Sequence, residues 1–121
     1  MEMGDQDLVV RKRGDTAVID LRGEIDSNAE RALGSAYAKA TENGTGSVIL
    51  NFAGADYMNS TGIALIVGLL AQARAHGVKI AACGLSDHYR EIFEITRLAD
   101  FITISDTEDG AVSAGDRTDD A

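Results

Sequence analysis

The stretch Asp56-Tyr57-Met58-Asn59-Ser60-Thr61-Gly62-Ile63-Ala64-Leu65-Ile66-Val67-Gly68-Leu69-Leu70 sets two adjacent hydroxyls at the head of a segment without charge from Ser60 to Ala73. Ile63, Leu65, Ile66, Val67, Leu69 and Leu70 fall too densely for the single stripe of an amphipathic helix. The segment reads as a helix from about Ser60 to His76, stopped by Gly77 and covered by neighbouring helices over part of its surface. The rest of that surface, led by Ile63, Ile66 or Val67, is expected to form a docking patch. Upstream, Val48-Ile49-Leu50-Asn51-Phe52 is short, apolar and β-branched at its start, as a strand buried on both faces is. Gly54 marks a turn between this strand and the helix. The hydroxyls should then lie at the carboxyl end of a sheet, where sites gather in α/β folds.

Working outward, Leu8 to Arg13 and Thr16 to Arg22 are β-prone runs around a Gly14-Asp15 turn. Ala17, Ile19 and Leu21 alternate with Val18, Asp20 and Arg22, so one face is buried and the other wetter. Ser27-Asn28-Ala29-Glu30 has capping-box spacing and should start a helix that Glu42-Asn43-Gly44 ends. Beyond the central helix, Val78 to Cys83 is a strand, and Ser86 caps a helix with Tyr89, Ile92 and Phe93 inward and Arg90–Glu94 paired outward. Phe101 to Ile104 is a last strand, and Asp106 to Ser113 a weak final helix. The fold class is α/β: one domain, a small mixed, mostly parallel sheet of four to five strands, in the order β-β-α-β-α-β-α-β-α, covered by helices. The domain is placed at 1–113, and residues 114–121 are an acidic tail expected to be disordered.

Composition narrows the function. The net charge is −9, of which residues 106–121 carry −5, and this argues against a nucleic-acid partner. No run approaches the roughly 18 apolar residues of a membrane span, and the acidic start does not read as a signal peptide. The single Cys83 excludes an internal disulfide, fits a reducing cytoplasm and reads as an inert core residue. Nucleotide-binding glycine loops, zinc-protease spacing and a nucleophile elbow are all missing from the sequence. His76 and His88 read as surface residues, and Asp5, Asp7, Asp15 and Asp20 as solvated carboxylates that match no calcium loop. No cofactor, no metal and no catalysis of its own are expected.

Three roles remain for the hydroxyls: helix cap, nucleophile or modification site. Asn59 or Ser60 could cap the helix, worth about 1 kcal/mol. A nucleophile would need a base and an orienting partner, which the sequence does not supply. A phosphate on Ser60 would add about −1.5 to −2 charges where free N–H groups and the helix dipole tolerate it. Gly62 would leave the backbone there approachable. A partner docking on the same surface would face a desolvated dianion, which is costly.

These segments resemble the STAS domain family, in particular bacterial anti-sigma factor antagonists. "LRGEID" (Leu21 to Asp26) is similar to the family's G-E-[LI]-D, and Asn51 to Gly77 resembles its strand, loop, D-S-[ST]-G and helix signature. Val78 to Ile104 follows its closing region, with Ile95-Thr96-Arg97-Leu98 as the L-T-x-L element. The resemblance implies a cytoplasmic partner switch, a monomer or weak homodimer without membrane or nucleic-acid contacts. When unphosphorylated it would bind an anti-sigma factor that is also a serine kinase. Phosphorylation would release it, and a phosphatase would reset it. The phosphorylated residue falls on Ser60, with Thr61 a secondary acceptor, and the docking surface on Asp26, Asn28, Met58, Asn59, Ser60, Thr61, Gly62 and Ile63. Two positions depart from the pattern: Asn59 replaces the motif Asp, and Asp87 replaces a frequent proline. The first keeps a second reading open, a STAS scaffold or sensor subunit of a multi-protein stress-signalling complex. A module of a transporter or lipid-trafficking complex is a third.

Overall fold

Val9–Arg13 (β1) and Thr16–Ile25 (β2) pair antiparallel around the expected turn, in a computed structural model that describes residues 8–116. Three strands follow, Ser47–Met58 (β3), Lys79–Cys83 (β4) and Thr103–Ser105 (β5), each parallel to the one before. The sheet order is β1-β2-β3-β4-β5, so spatial order is chain order. Glu30–Thr41 (α1), Ser60–Ala75 (α2) and Asp87–Ile95 (α3) make the crossovers, and Glu108–Asp116 (α4) ends the described chain. The α/β class and the mostly parallel sheet are as the sequence predicts.

This strand order decides where the helices go. Parallel crossovers are right-handed, so three successive steps in one direction across the sheet put three helices on the same face. There Ile19, Leu21, Ile25, Leu50 and Phe52 meet Leu33 and Tyr37 of α1, Ile66 and Leu69 of α2, and Phe93 of α3. Phe93 is fully buried and meets Phe52 edge-on, with ring centroids 5.9 Å apart. Each such aliphatic or aromatic side chain stabilises the fold by about 1.5–3 kcal/mol.

The opposite face must be covered by something else, and α4 does it. Ala111 and Val112 cover Val18, Ile49, Ala81 and Cys83. Val18 is therefore buried, not on a wet face, because the hydrophobic alternation of β2 cannot register a helix that arrives ninety residues later. Ion pairs fasten α4: Arg11 bonds Glu108 at 2.8 Å and Asp20 at 2.6 Å, and Arg13 bonds Glu108 at 2.9 Å. Asp20, which also accepts from Asn51, is thus a paired, half-buried carboxylate, not a solvated one. Its partners, Arg11 first, hold its carboxyl below the usual range, and Glu108 is shifted down in the same way.

Several boundaries differ from expectation. β3 does not turn at Gly54 but runs on to Met58, still paired with β2 through register shifts between Asp20 and Arg22 and between Gly23 and Glu24. The first helical turn is 3₁₀, Ser27–Ala29, and its cap is Asp26, whose carboxylate accepts from the Asn28 N–H at 2.9 Å. The cap thus falls one residue before the expected Ser27, and with Ala29 three residues on it forms no capping box. Arg90 forms its ion pair with Asp106, across to the segment before α4, rather than with Glu94. Phe101 precedes the last strand and is exposed. Helix α4 passes the expected boundary at Ala114, while residues 117–121 of the expected tail, like Asp5 and Asp7, lie outside the described residues.

Candidate functional site

The carboxyl end of β3 and the start of α2 meet at Asn59. Its side chain accepts a hydrogen bond from the Gly62 N–H at 2.8 Å, with extended backbone (φ −91°, ψ −177°), so Asn59 is the helix cap. Its own N–H reaches back to the Ile25 carbonyl at 3.4 Å. With the capping role filled by Asn59, the Ser60 hydroxyl stands exposed on the first residue of the helix, and among the described residues it makes no hydrogen bond. Thr61 beside it is exposed as well.

Gly62 fixes how close this helix end lies to the sheet. A methyl built on it would fall 1.8 Å from the Ile25 carbonyl oxygen and 2.6 Å from its carbon. The glycine is buried against the end of β2, which corrects the expectation that it leaves the backbone approachable. Without a side chain at 62, the first turn of α2 can seat on the turn after β2, and that turn carries Asp26 and Asn28. The structure thus brings Asp26 and Asn28 to the same end of the sheet as Asn59, Ser60 and Thr61.

Two further expected docking residues take other places. Met58 is 4% exposed and Ile66 fully buried, so both are core residues; on α2 only one flank of the apolar run faces out. Ile63 is partly exposed and Val67 clearly so. Tyr57, exposed at the end of β3, joins this surface without having been singled out in the sequence. The strand alternation could have found it: Met58 inward requires Tyr57 outward.

Tyr89, which the sequence reading placed inward without a role, is a second residue that bears on the site. Its hydroxyl accepts from the Met58 N–H at 2.8 Å and donates to the Met58 carbonyl at 3.2 Å. β4 ends at Cys83, opposite Asn51, so the last residues of β3 have no strand on that side. Tyr89 substitutes for it and holds the peptide that leads into Asn59. Ser86 in turn holds Tyr89 by capping α3, accepting from the Tyr89 N–H at 3.2 Å.

Electrostatically the site is mostly acidic, with Arg22 on β2, opposite Gly54, as a neighbouring cation. From Asn51 to Ala73 the chain carries no lysine or arginine, and Glu24, Asp26 and Asp56 lie around the strand ends. Burial raises the Cys83 thiol, which lies under α4 away from this surface. His76 and His88 are both exposed, His76 just after α2 and His88 on α3. Among the described residues no helix is long and apolar enough to cross a membrane.

The sequence profile of the STAS domain matches residues 7–111. The chain belongs to the STAS domain family. Among relatives, an anti-sigma-B factor antagonist of Staphylococcus aureus (strain NCTC 8325 / PS 47) is 28% identical over 88 residues, covering 73% of this chain and 82% of that protein. The STAS fold recurs in the anti-sigma factor antagonist SpoIIAA in its unphosphorylated form, with TM-score 0.70 and 20% identity over 93% of this chain and 99% of that one. The phosphorylated form of SpoIIAA, a Bacillus cell fate determinant, superposes with TM-score 0.68 and 24% identity, covering 89% of this chain and 98% of that one.

Proposed function

We propose that this STAS domain is an anti-sigma factor antagonist that binds an anti-sigma factor with serine kinase activity while Ser60 is unmodified, and leaves it once Ser60 carries a phosphate. The observation that carries the reading is the division of labour at the start of α2. Asn59 caps the helix and Gly62 seats it, so Ser60 is left without either duty and is an exposed residue. A phosphate there would meet free N–H groups of a helix N-terminus but no lysine or arginine between Asn51 and Ala73. The fold tolerates the charge. A partner seated on Tyr57, Ile63 and the Asp26–Asn28 turn would have to bury it, or meet it with the carboxylates nearby.

The resemblance to anti-sigma factor antagonists supplies the class of partner, and a phosphatase acting on phosphoserine completes the cycle. A monomer or weak homodimer suffices for this role. One observation favours the scaffold reading: the cap is an amide where the family motif carries an acid, so the acceptor lacks a neighbouring negative charge. The test is incubation of the full chain with ATP and the host's kinase, followed by mass spectrometry and a binding assay. One phosphate on Ser60 is expected, with Ser60→Asp folded and unable to hold the kinase. Binding by Ser60→Asp as tight as the parent's would refute the switch.

A further inference from the structure

The rear of the sheet is closed by one small element. There α4 seats Ala111 on Val18, Ile49, Ala81 and Cys83, with Val112 beside it. Among the described side chains of α4 only Ala111 is buried, while Glu108 and Val112 are half-buried. The larger core, on the other face, draws no buried side chain from α4 among the described residues. The strand ladder from β1 to β5 is likewise complete without it. Removing α4 would leave the sheet and its three crossover helices packed as they stand.

Its attachment is largely ionic. Glu108 is shared by Arg11 and Arg13 of β1 at 2.8 and 2.9 Å, and Arg13 also reaches Asp109 at 2.9 Å. These side chains are 21% to 86% exposed, so water and salt compete for the pairs. Release strands no buried charge. Arg11 keeps a two-pronged contact with Asp20, from Nε at 2.6 Å and from Nη2 at 2.7 Å, and Asn51 still donates to Asp20. Arg13, more than a third exposed, returns to water. Nor can the helix hold itself together. Nine residues are fewer than the roughly 12–15 that an isolated helix needs, and Gly110, Val112, Ser113 and Gly115 are weak helix formers. Thus α4 is helical only while seated, and under it lies the Cys83 thiol, 1% exposed.

We propose that α4 is a salt-sensitive lid that leaves the rear of the sheet as a unit while the rest of the domain stays folded, uncovering the Cys83 thiol together with Val18, Ile49 and Ala81. Few buried atoms and screenable ion pairs hold the lid, so it opens far more often than the molecule unfolds. Ionic strength, or loss of the charge on Glu108, sets how often the thiol meets solvent. The lid and Cys83 lie on the opposite face of the sheet from α2, so the device is independent of the reading of Ser60.

The test is alkylation of the full chain by iodoacetamide, followed by mass spectrometry as a single increment on the one cysteine. The reagent is uncharged, so salt acts on the lid and not on the encounter. Labelling should run at least about a hundredfold faster than global unfolding allows, and stay nearly flat in low urea because opening the lid exposes little surface. Between about 0.05 and 1 M sodium chloride it should quicken about tenfold. Glu108→Gln should quicken it about fivefold at low salt and flatten the salt response. Moving the thiol one residue, with Ala82→Cys in a Cys83→Ala background, puts it on the front face under the crossover helices, where labelling should fall to the global rate. Parent labelling that follows urea with the full unfolding slope, or that ignores salt, would overturn the proposal without any variant. So would equal labelling of the two thiol positions.

Discussion

Two glycines of α2 should respond to the same substitution with opposite sign. Alanine in place of an interior helical glycine gains about 0.5–1 kcal/mol, mostly through the unfolded chain. At Gly68 the new methyl meets nothing within 4 Å, so Gly68→Ala should gain that full amount. At Gly62 the methyl would lie 1.8 Å from the Ile25 carbonyl oxygen, and a backbone atom cannot swing aside as a side-chain tip can. Overpacking of this kind costs about 1–3 kcal/mol, occasionally more, and a contact this short belongs at the upper end. The net expectation for Gly62→Ala is a loss of about 2 kcal/mol. At roughly 4 °C per kcal/mol for a chain of this size, the two variants should differ in Tm by about 10 °C. Urea denaturation of the two proteins, followed by far-ultraviolet circular dichroism, measures the difference directly. If Gly62→Ala were as stable as the parent, α2 would not be seated on the end of β2. The geometry that brings Ser60 beside Asp26 and Asn28 would then be wrong.

Asn59→Ala should lower stability by about 1 kcal/mol in thermal melts, because the Gly62 N–H loses its acceptor, whereas Asn59→Asp keeps the acceptor and should gain about 0.3–1 kcal/mol from the helix dipole. An unchanged melt for Asn59→Ala would deny the cap. Tyr89→Phe leaves the Met58 N–H and carbonyl without the phenol and should cost about 1–3 kcal/mol in urea, while a neutral result would mean that water replaces it fully. Asp20 and Glu108 are held below their ordinary values of 3.8 and 4.5, chiefly by hydrogen bonds from Arg11. The unfolded chain therefore takes up their protons first, so the stability they add is complete above about pH 5 and drains away as the pH falls past those values. Urea titrations from pH 7 to 3 should show the decline, with a shallower slope in Glu108→Gln; identical slopes would place the effect elsewhere.

Much of the architecture was legible because its signals are local. Ser86 before an inward Tyr89 and Phe93, the apolar run after Asn59 and the stop at Gly77 each act within a turn or two of chain, and each recurs in the structure. What failed to show were the consequences of distant pieces meeting. Gly54 looks like a turn until β2 is beside it; the irregular pairing with Arg22 then carries β3 straight through. Val18 looks half-wet until α4 arrives, and Arg90 looks paired along its own helix until Asp106 lies within reach. At the candidate site, the positions of Asn59, Ser60 and Thr61 could be read from residue type and order. Which apolar neighbours face outward could not, because the exposed face of α2 is largely Ala, Gly and Val rather than charged and gives little amphipathic contrast, so Ile66 was assigned to the wrong side. Met58, the last residue of β3, was placed on the docking surface by the family resemblance alone.

The identity of spatial and chain order in the sheet has a consequence for how the molecule is made. A nascent chain leaves the ribosome amino end first, and here no strand ever has to be threaded between two that are already joined. The hairpin offers β2 as a free margin; β3, β4 and β5 then accrete on the growing side, each delivering the helix that roofs the last addition. Only the rear of the sheet waits. Until α4 is synthesised, its valine, isoleucine and cysteine stand uncovered, so the interval between the making of β5 and the making of α4 is the one in which this domain is most adhesive.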